Sequence, residues 1–519
     1  MTSDALTRNV QEFLSESGGA VVLEDGAVLF DLAQAKYSIS GEYNKCLLHF
    51  WSAERNTVRR VLDAETKNGT LRLTVQRLGQ SRPTKLDICR EHDRRSPSAR
   101  RVSRLAYQHK LRRTLERHFP EWTIARLTTG VDLEKSFGPI YARGLLRRGQ
   151  HALAVLGVNA QETQASIDAS LTFGILWLDA CRQAQAGKAV LEGLNLFVPH
   201  GTSSLARERM ANLSPATAKW RLFELDERQD ALWEIDCADR GNVATRLAHS
   251  TNAQAAKDRF ADSIASIQKL LPACEVAVLS AAEIAFRWRG LDFARARLAE
   301  AGPFRSGQEI VFGTGAEERI LEQKNERNFL ELVNGLRDVR HPYGPRQHRL
   351  WRMCPERWLE SLVVGDVSVI DERLDSAHLY SQVPAFSASD RAMIDVLTIT
   401  HQGRLVVVEL KADEDIHLPL QGLDYWARVQ WHHARGEFRR FGYFEGRELS
   451  NENPLLFLVA PAFHVHPATD VLLRYVSPEI AWEFVGIDER WREGVRVVFR
   501  KRASHPMTHE TAWPIAVDS

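Results

Sequence analysis

Met393-Ile-Asp-Val-Leu-Thr-Ile-Thr-His-Gln-Gly-Arg-Leu-Val-Val-Val-Glu-Leu-Lys411 is the stretch whose reading decides the fold. Two apolar runs of strand character flank His401-Gln402-Gly403. A three-residue hairpin loop commonly ends in a left-handed residue, and Gly403 stands where one is needed. With Thr400 opposite Arg404, Leu397 faces Val407, Ile399 faces Leu405, and Asp395 falls opposite Glu409. Side chains alternate across a strand, so Ile394, Val396, Val406, Val408 and Leu410 share the other side. Both sides are apolar, which calls for layers above and below the sheet. The expected class is α/β in a mixed α+β multidomain chain, with a C-terminal three-layer α/β/α core around a mixed sheet.

This register has a chemical consequence. Directly opposed residues have Cβ atoms roughly 4.5–5.5 Å apart. Two carboxylates that close in a buried sheet repel unless a cation or a proton lies between them. Lys411, two residues after Glu409, projects to the same face. Hard oxygen donors suit Mg²⁺, or Mn²⁺, and such an ion can polarise a phosphodiester and acidify an attacking water. A buried Asp/Glu/Lys cluster without metal is the structural alternative.

Outward from the hairpin, Pro355-Glu-Arg-Trp-Leu-Glu-Ser-Leu-Val starts a helix, with proline in its first turn. A strand is expected at 377–383 and a helix at about 418–435. The segment 355–460 resembles the PD-(D/E)XK nuclease superfamily. The resemblance rests on Glu360 in the first helix, Ile394-Asp395, the strand Val406-Val-Val-Glu409-Leu-Lys411 and the helix after it. Gln421-Gly-Leu-Asp-Tyr425 is similar to the Gln-x-x-x-Tyr motif of the recombination-type nucleases, and its two polar side chains share a helix face. Ile394 departs from the proline usual before the aspartate. The resemblance implies a restriction-endonuclease-like core and a Mg²⁺-dependent nuclease, most simply a DNA endonuclease. It implies Asp395 and Glu409 as metal ligands, Lys411 as the water's partner, and Glu360, Gln421 and Tyr425 in support. The alternative is a non-catalytic nucleic-acid-binding or scaffold protein that keeps the fold.

The remaining chain divides by pattern. A β-rich region spans 1–88, where Asp25-Gly26 and Asn68-Gly69 are tight-turn dipeptides between apolar runs. A basic α/β domain spans 89–202, with strands at 152–158 and 189–198 around a helix at about 162–184. The middle region, 203–340, holds a hairpin (220–226 with 232–236), a helix at about 253–271, a linker at 301–307 and a helix at about 315–337. The last domain spans 341–519, its start marked by His341-Pro-Tyr-Gly-Pro.

With 519 residues, 44% hydrophobic and 26% charged, the composition is that of a multidomain globular protein. Six isolated cysteines, none closely paired in sequence, fit reduced thiols rather than a disulfide framework or a zinc knuckle. Met1-Thr-Ser-Asp-Ala-Leu-Thr-Arg lacks a leader's basic region and apolar core, and no apolar run reaches 18 residues, so a cytoplasmic protein is expected. The net charge of +1 hides an asymmetry: 90–118 carries ten Lys/Arg against three Asp/Glu, a local charge of roughly +7. Leu105, Leu111, Leu115 and Phe119 interleave at helical spacing, which predicts an amphipathic helix with a basic outer face. Such a face is either simply solvated or suited to a phosphate backbone through Arg100, Arg101, Arg104, Lys110, Arg112 and Arg113; the nucleic-acid partner expected is DNA rather than RNA.

Residues 141–162 align without a gap onto 393–414 with six identities, which marks either an ordinary α/β coincidence or a decayed second copy. In that alignment Arg143 replaces Asp395, Gly157 replaces Glu409 and Asn159 replaces Lys411, so the copy would hold no metal. Arg143, Arg147 and Arg148 would then add to the basic surface. Gly313-Thr-Gly lacks the spacing and the lysine of a phosphate loop, and His464-Val-His466 reads as structural.

Overall fold

The computed structural model describes residues 3–15, 20–24, 27–32, 36–41, 45–51, 56–67, 70–77, 83–89, 97–132, 137–238, 245–249, 253–301, 305–315, 318–387 and 391–503. The chain is a mixed α+β protein, and its described residues form sheets of seven, six, five and seven strands. It forms two compact units, Met1–Ser203 with Arg221–Ile235, and Ser204–Trp220 with Asp236–Ser519. Among the described residues no helix is long and apolar enough to cross a membrane, and none of the six cysteines is in a disulfide.

The site lies in the C-terminal sheet. Its main strands run in spatial order Tyr380–Ser387, Arg391–Ile399, Leu405–Leu410, Leu455–Pro461, Trp482–Ile487 and Val497–Arg502. The first three pair antiparallel, the next two join in parallel, and the last returns antiparallel. Leu397 pairs with Val407 and Ile399 with Leu405, as the sequence predicts. Thr400 N–H donates to Arg404 O at 2.8 Å, Gly403 N–H to Thr400 O at 2.8 Å, and Gly403 has φ +82°.

Both faces are covered. Val396, Val406, Val408, Phe457 and Val459 pack with Trp358, Leu359 and Val363 of the helix Pro355–Gly365. The opposite face meets the helix Leu418–Ala434, where a Cβ on Gly422 would lie 2.5 Å from Leu458 and 3.2 Å from Leu456. Glu409 pairs with Leu458 and therefore belongs to this second face.

Several boundaries differ from expectation. The supposed linker at 301–307 belongs to a hairpin, because Leu291–Ala301 and Arg305–Phe312 pair antiparallel in the five-stranded sheet. The helix expected at 315–337 is Glu326–Val339; Ile320 lies in the strand Arg319–Ile320 and is exposed. A reciprocal cap between Glu322 and Asn325 starts the helical segment late. The helix expected at 253–271 is broken into Ala253–Arg259 and Ala261–Leu270. The turn dipeptides at 25–26 and 68–69 lie outside the described residues, but the flanking pairs Glu24↔Ala27 and Lys67↔Thr70 are those of two-residue hairpins.

The six-stranded sheet of the first unit repeats the C-terminal order: Thr123–Thr128, Tyr141–Arg148, His151–Val158, Val190–Pro199, Lys219–Asp226 and Ala231–Ile235. Again the first three strands are antiparallel, the third and fourth parallel, and the last two antiparallel. A helix precedes each set, Pro97–His118 here, and another, Ser170–Gln185 here, links the third strand to the fourth.

Replacing Gly403 by alanine should destabilise the protein by more than ~1 kcal/mol, since φ is positive and the new Cβ would lie 2.2 Å from Glu448 O. Urea unfolding with an unchanged slope checks this, and an unchanged midpoint would refute the turn's importance.

Candidate active site

Asp395 lies just beyond the last ladder pair, Val396↔Val408, and its side chain takes over the pairing there. Its Oδ2 accepts from the Leu410 N–H at 2.9 Å. Continuing the ladder sets Asp395 opposite Glu409, as the sequence register requires. Glu409 is buried, with Oε1 3.3 Å from Lys411 Nζ and with Oε2 lacking any protein partner. Lys411 is buried too, and its Nζ lies 3.7 Å from Glu356 Oε2.

Glu360 reaches the same place from the helix Pro355–Gly365. Its Oε2 accepts from Arg357 Nη1 at 3.1 Å and from Gln382 Nε2 at 2.7 Å. Gln382 Nε2 also lies 3.4 Å from Asp395 Oδ1, so one amide bridges the two carboxyl groups. The pairs Ser381↔Val396 and Val383↔Ile394 flank Gln382, which stands opposite Asp395 with φ +53°. A non-glycine residue held there costs on the order of 1–3 kcal/mol, and such strain collects at functional sites.

The electrostatics are those of crowded acids in a dry sheet. Burial, and after it the charge of Asp395, holds the Glu409 carboxyl well above the usual carboxylate range, against the pull of Lys411. Burial raises Asp395 as well, opposed by the Leu410 N–H and by Lys411. It pushes Glu360 up to about 7 and raises Glu356. For Lys411 burial works downward, yet Glu409, Glu356 and Asp395 outweigh it and its pKa is raised. Lys411 is therefore a firmly charged ammonium. Gln421 Nε2 donates to Tyr425 Oη at 3.2 Å across one helical turn. Burial, then the charge of Glu409, raises the Tyr425 hydroxyl.

Asp395, Glu409, Lys411 and Glu360 thus converge, with Tyr425 within electrostatic range of Glu409 and Asp395 and Gln421 bonded to Tyr425. Glu356 and Gln382 are the two members that sequence reasoning missed. Glu356 carried a signal, an acid directly after the helix-starting proline; Gln382 carried none. Among the described residues no group of three or more His, Cys, Asp or Glu side chains is arranged to hold a metal ion. The donor set nevertheless fits Mg²⁺, which is often held by one or two carboxylates and keeps several waters. The partnerless Glu409 Oε2 and the mutual repulsion of the acids are what such an ion would relieve.

The expected nucleic-acid residues divide. The helix Pro97–His118 forms, with Leu111, Leu115 and Phe119 buried, but Leu105 is 41% exposed and Tyr107 takes the inner position. Arg104 pairs with Glu162 at 2.6 Å, and Lys110 and Arg117 share Asp230. Arg113 is exposed and Arg112 half-buried. The side chains of Arg100 and Arg101, and residues 90–96, lie outside the described residues. Arg148 is exposed, its guanidinium 4.7 Å from the Trp122 ring centre, and Arg147 bonds Gln185.

Arg143 corrects the expectation of added surface charge. It is 1% exposed, donates to Gly130 O, and stacks 4.7 Å from the Phe137 ring centre and 5.6 Å from that of Trp177. The ungapped alignment needs a correction too. The first-unit hairpin closes Arg148 on His151, a loop of two residues instead of three, so Arg143 pairs with Leu156 rather than Gly157. Leu156 and Val158 therefore occupy the places of Glu409 and Lys411. A Cβ on Gly174 would meet Leu194, much as Gly422 meets Leu456 and Leu458, which sets Trp177 at the place of Tyr425.

A carboxyl whose folded-state pKa is raised favours the native state below its unfolded pKa and loses that contribution as pH rises through the folded value. The cation-free protein should therefore lose stability between pH 4.5 and about 7 on account of Glu360, by on the order of 3 kcal/mol. Glu360→Gln should remove that part of the decline and raise Tm at pH 8. Melting curves at pH 5 and pH 8 in EDTA check it, and parallel declines for both proteins would refute it.

No protein-family model matches the chain, and no curated protein matches it in sequence.

Proposed function

We propose that the C-terminal unit is a metal-dependent nuclease of PD-(D/E)XK type, with a restriction-endonuclease-like core, hydrolysing phosphodiester bonds in DNA. The carrying observation is the convergence of Asp395, Glu409 and Lys411 at adjoining strand ends, with one Glu409 oxygen unpartnered. A binding module has no need of facing acids, which repel phosphate.

Asp395 and Glu409 would hold Mg²⁺ or Mn²⁺, which when bound supplies Lewis acidity to the phosphodiester and acidity to water. Lys411 keeps its proton through Glu409 and Glu356, so its ammonium can orient the attacking water and oppose charge developing on phosphorus. Glu360 and Gln382 fix the Asp395 carboxyl. Gln421 and Tyr425 form a supporting pair on the neighbouring helix. The exposed arginines of the basic helix supply sequence-blind affinity for the backbone.

Asp395→Ala and Lys411→Ala should each lower Mg²⁺-dependent cleavage of circular and linear DNA by at least about 10²-fold. Asp395→Ala should also raise Tm in EDTA, because it relieves Glu409. Undiminished cleavage by both variants, with EDTA as control, would refute the nuclease assignment. Binding without turnover in the parent protein would instead favour the scaffold alternative.

The ion pairs of the basic helix sharpen its test. Arg112→Ala with Arg113→Ala should flatten the log–log salt dependence of duplex binding by roughly 0.9 for each phosphate these arginines neutralise, and leave saturated turnover unchanged. Arg104→Ala should instead lower stability, because Glu162 is left without its guanidinium. An unaltered salt slope in the double variant would mean a solvated face only.

A further inference from the structure

Between the five-stranded sheet and the start of the helix Pro355–Gly365 lies a cavity of about 230 Å³. By the same measure one water needs about 10–15 Å³, so the space is of ligand size. Its apolar lining includes Leu291, Phe312 and Met353. Its polar lining is Asp292, Arg295, Glu318 and Arg357, each between 32% and 39% exposed. The Nε of Arg295 has no protein partner.

The cavity is held open by packing. Trp288 pairs with Leu291 across a two-residue turn, and Arg289 and Gly290 both have positive φ. A Cβ on Gly290 would lie 1.9 Å from Arg357 O, so the turn presses on the helix. The fully buried Arg340 ties the same parts together by donating to Trp288 O, Arg289 O, Leu350 O and Met353 O.

We propose that this cavity receives a single nucleobase, unstacked from the strand whose phosphodiester lies at Asp395 and Glu409. The proposal rests on the nuclease reading and adds the group that is recognised. Two guanidinium groups and two carboxylates balance in charge, which argues against an anion or a metal ion as occupant. Arg295 pairs with Asp292 and Glu318, Asp292 also with Arg287, and Arg357 with Glu360; the donors and acceptors that these pairs leave over suit the mixed edge of a base, and the apolar residues its ring faces. The connection to chemistry is short: Arg357 lines the cavity and donates to Glu360, and Gln382 joins Glu360 to Asp395. A seated base would thereby bear on the position of the carboxylates.

Ligand-observed NMR on the full chain in EDTA, with adenosine, cytidine, guanosine, thymidine and inorganic phosphate as probes, tests this without cleavage. At least one nucleoside should bind, and phosphate should neither bind the cavity nor displace it. Glu318→Ala and Arg295→Met should each weaken that binding about tenfold, the scale of one base-edge hydrogen-bonding partner. Ala294→Phe, which fills the cavity, should abolish it. Lys411→Ala should keep it. On DNA the Glu318 and Arg295 variants should raise KM by a similar factor with kcat retained. Absence of nucleoside binding, binding unchanged in all three cavity variants, or displacement by phosphate would overturn the proposal. Nucleoside binding without cleavage by the parent protein would overturn the nuclease reading instead, and with it the placing of the base on a scissile strand.

Discussion

Two acids and one ammonium in a sheet covered on both faces are the constraint on which the C-terminal core depends. Desolvation disfavours every charge there, and proximity of the acids adds to the cost. The protein offsets it locally. Asp395 receives a backbone N–H that the ladder leaves over, Glu409 takes the ammonium of Lys411, and Gln382 bridges Asp395 to Glu360. What stays uncompensated is one oxygen of Glu409. The acids are thus pushed toward protonation, and one acceptor is left without a protein partner.

That geometry was legible in the sequence because the hairpin loop has a fixed length. A strand's side-chain period of two leaves a single register in which Thr400 closes on Arg404, and Gly403 supplies the left-handed turn. Everything carried by that register followed from it: the layered core, the facing acids and the side taken by Lys411. Elements joined to the site only through tertiary packing were less legible. Glu360 came from a resemblance, Glu356 had only its place after a proline, and Gln382 is an ordinary polar residue until its backbone is seen at φ +53°. The five-stranded sheet was hidden for a different reason. Its glycine and proline at 302–303 read as a break between domains, whereas Leu291–Ala301 and Arg305–Phe312 pair on either side of them.

The repeated strand order in the first unit separates features that both sheets share from features of the C-terminal sheet alone. Both sheets keep the antiparallel triplet, the parallel step and the helix-borne glycine pressed against leucines of the fourth strand. In the first unit the polar constellation is gone: Arg143, Leu156, Val158 and Trp177 stand where the C-terminal sheet has Asp395, Glu409, Lys411 and Tyr425. A buried guanidinium stacked on aromatic rings lies where two acids would otherwise attract a cation. The same topology thus folds around opposite local charge. The acids are therefore no requirement of this strand order.

Arg340 is a further buried charge in the same unit. It is wholly enclosed, burial lowers its pKa to about 10, and its partners are backbone carbonyls rather than an acid. Removing a charge from water without a counter-ion is expensive, and hydrogen bonds to oriented carbonyls recover part of the cost only if every donor is aimed. Such an arrangement cannot tolerate relative movement of the elements that supply those carbonyls. The turn at 289–290 and the segment 350–354 are therefore locked to each other. The helix that follows carries Arg357 and Glu360 from this fixed point, so the spacing between the cavity and the carboxylates is set by the backbone rather than by flexible side chains.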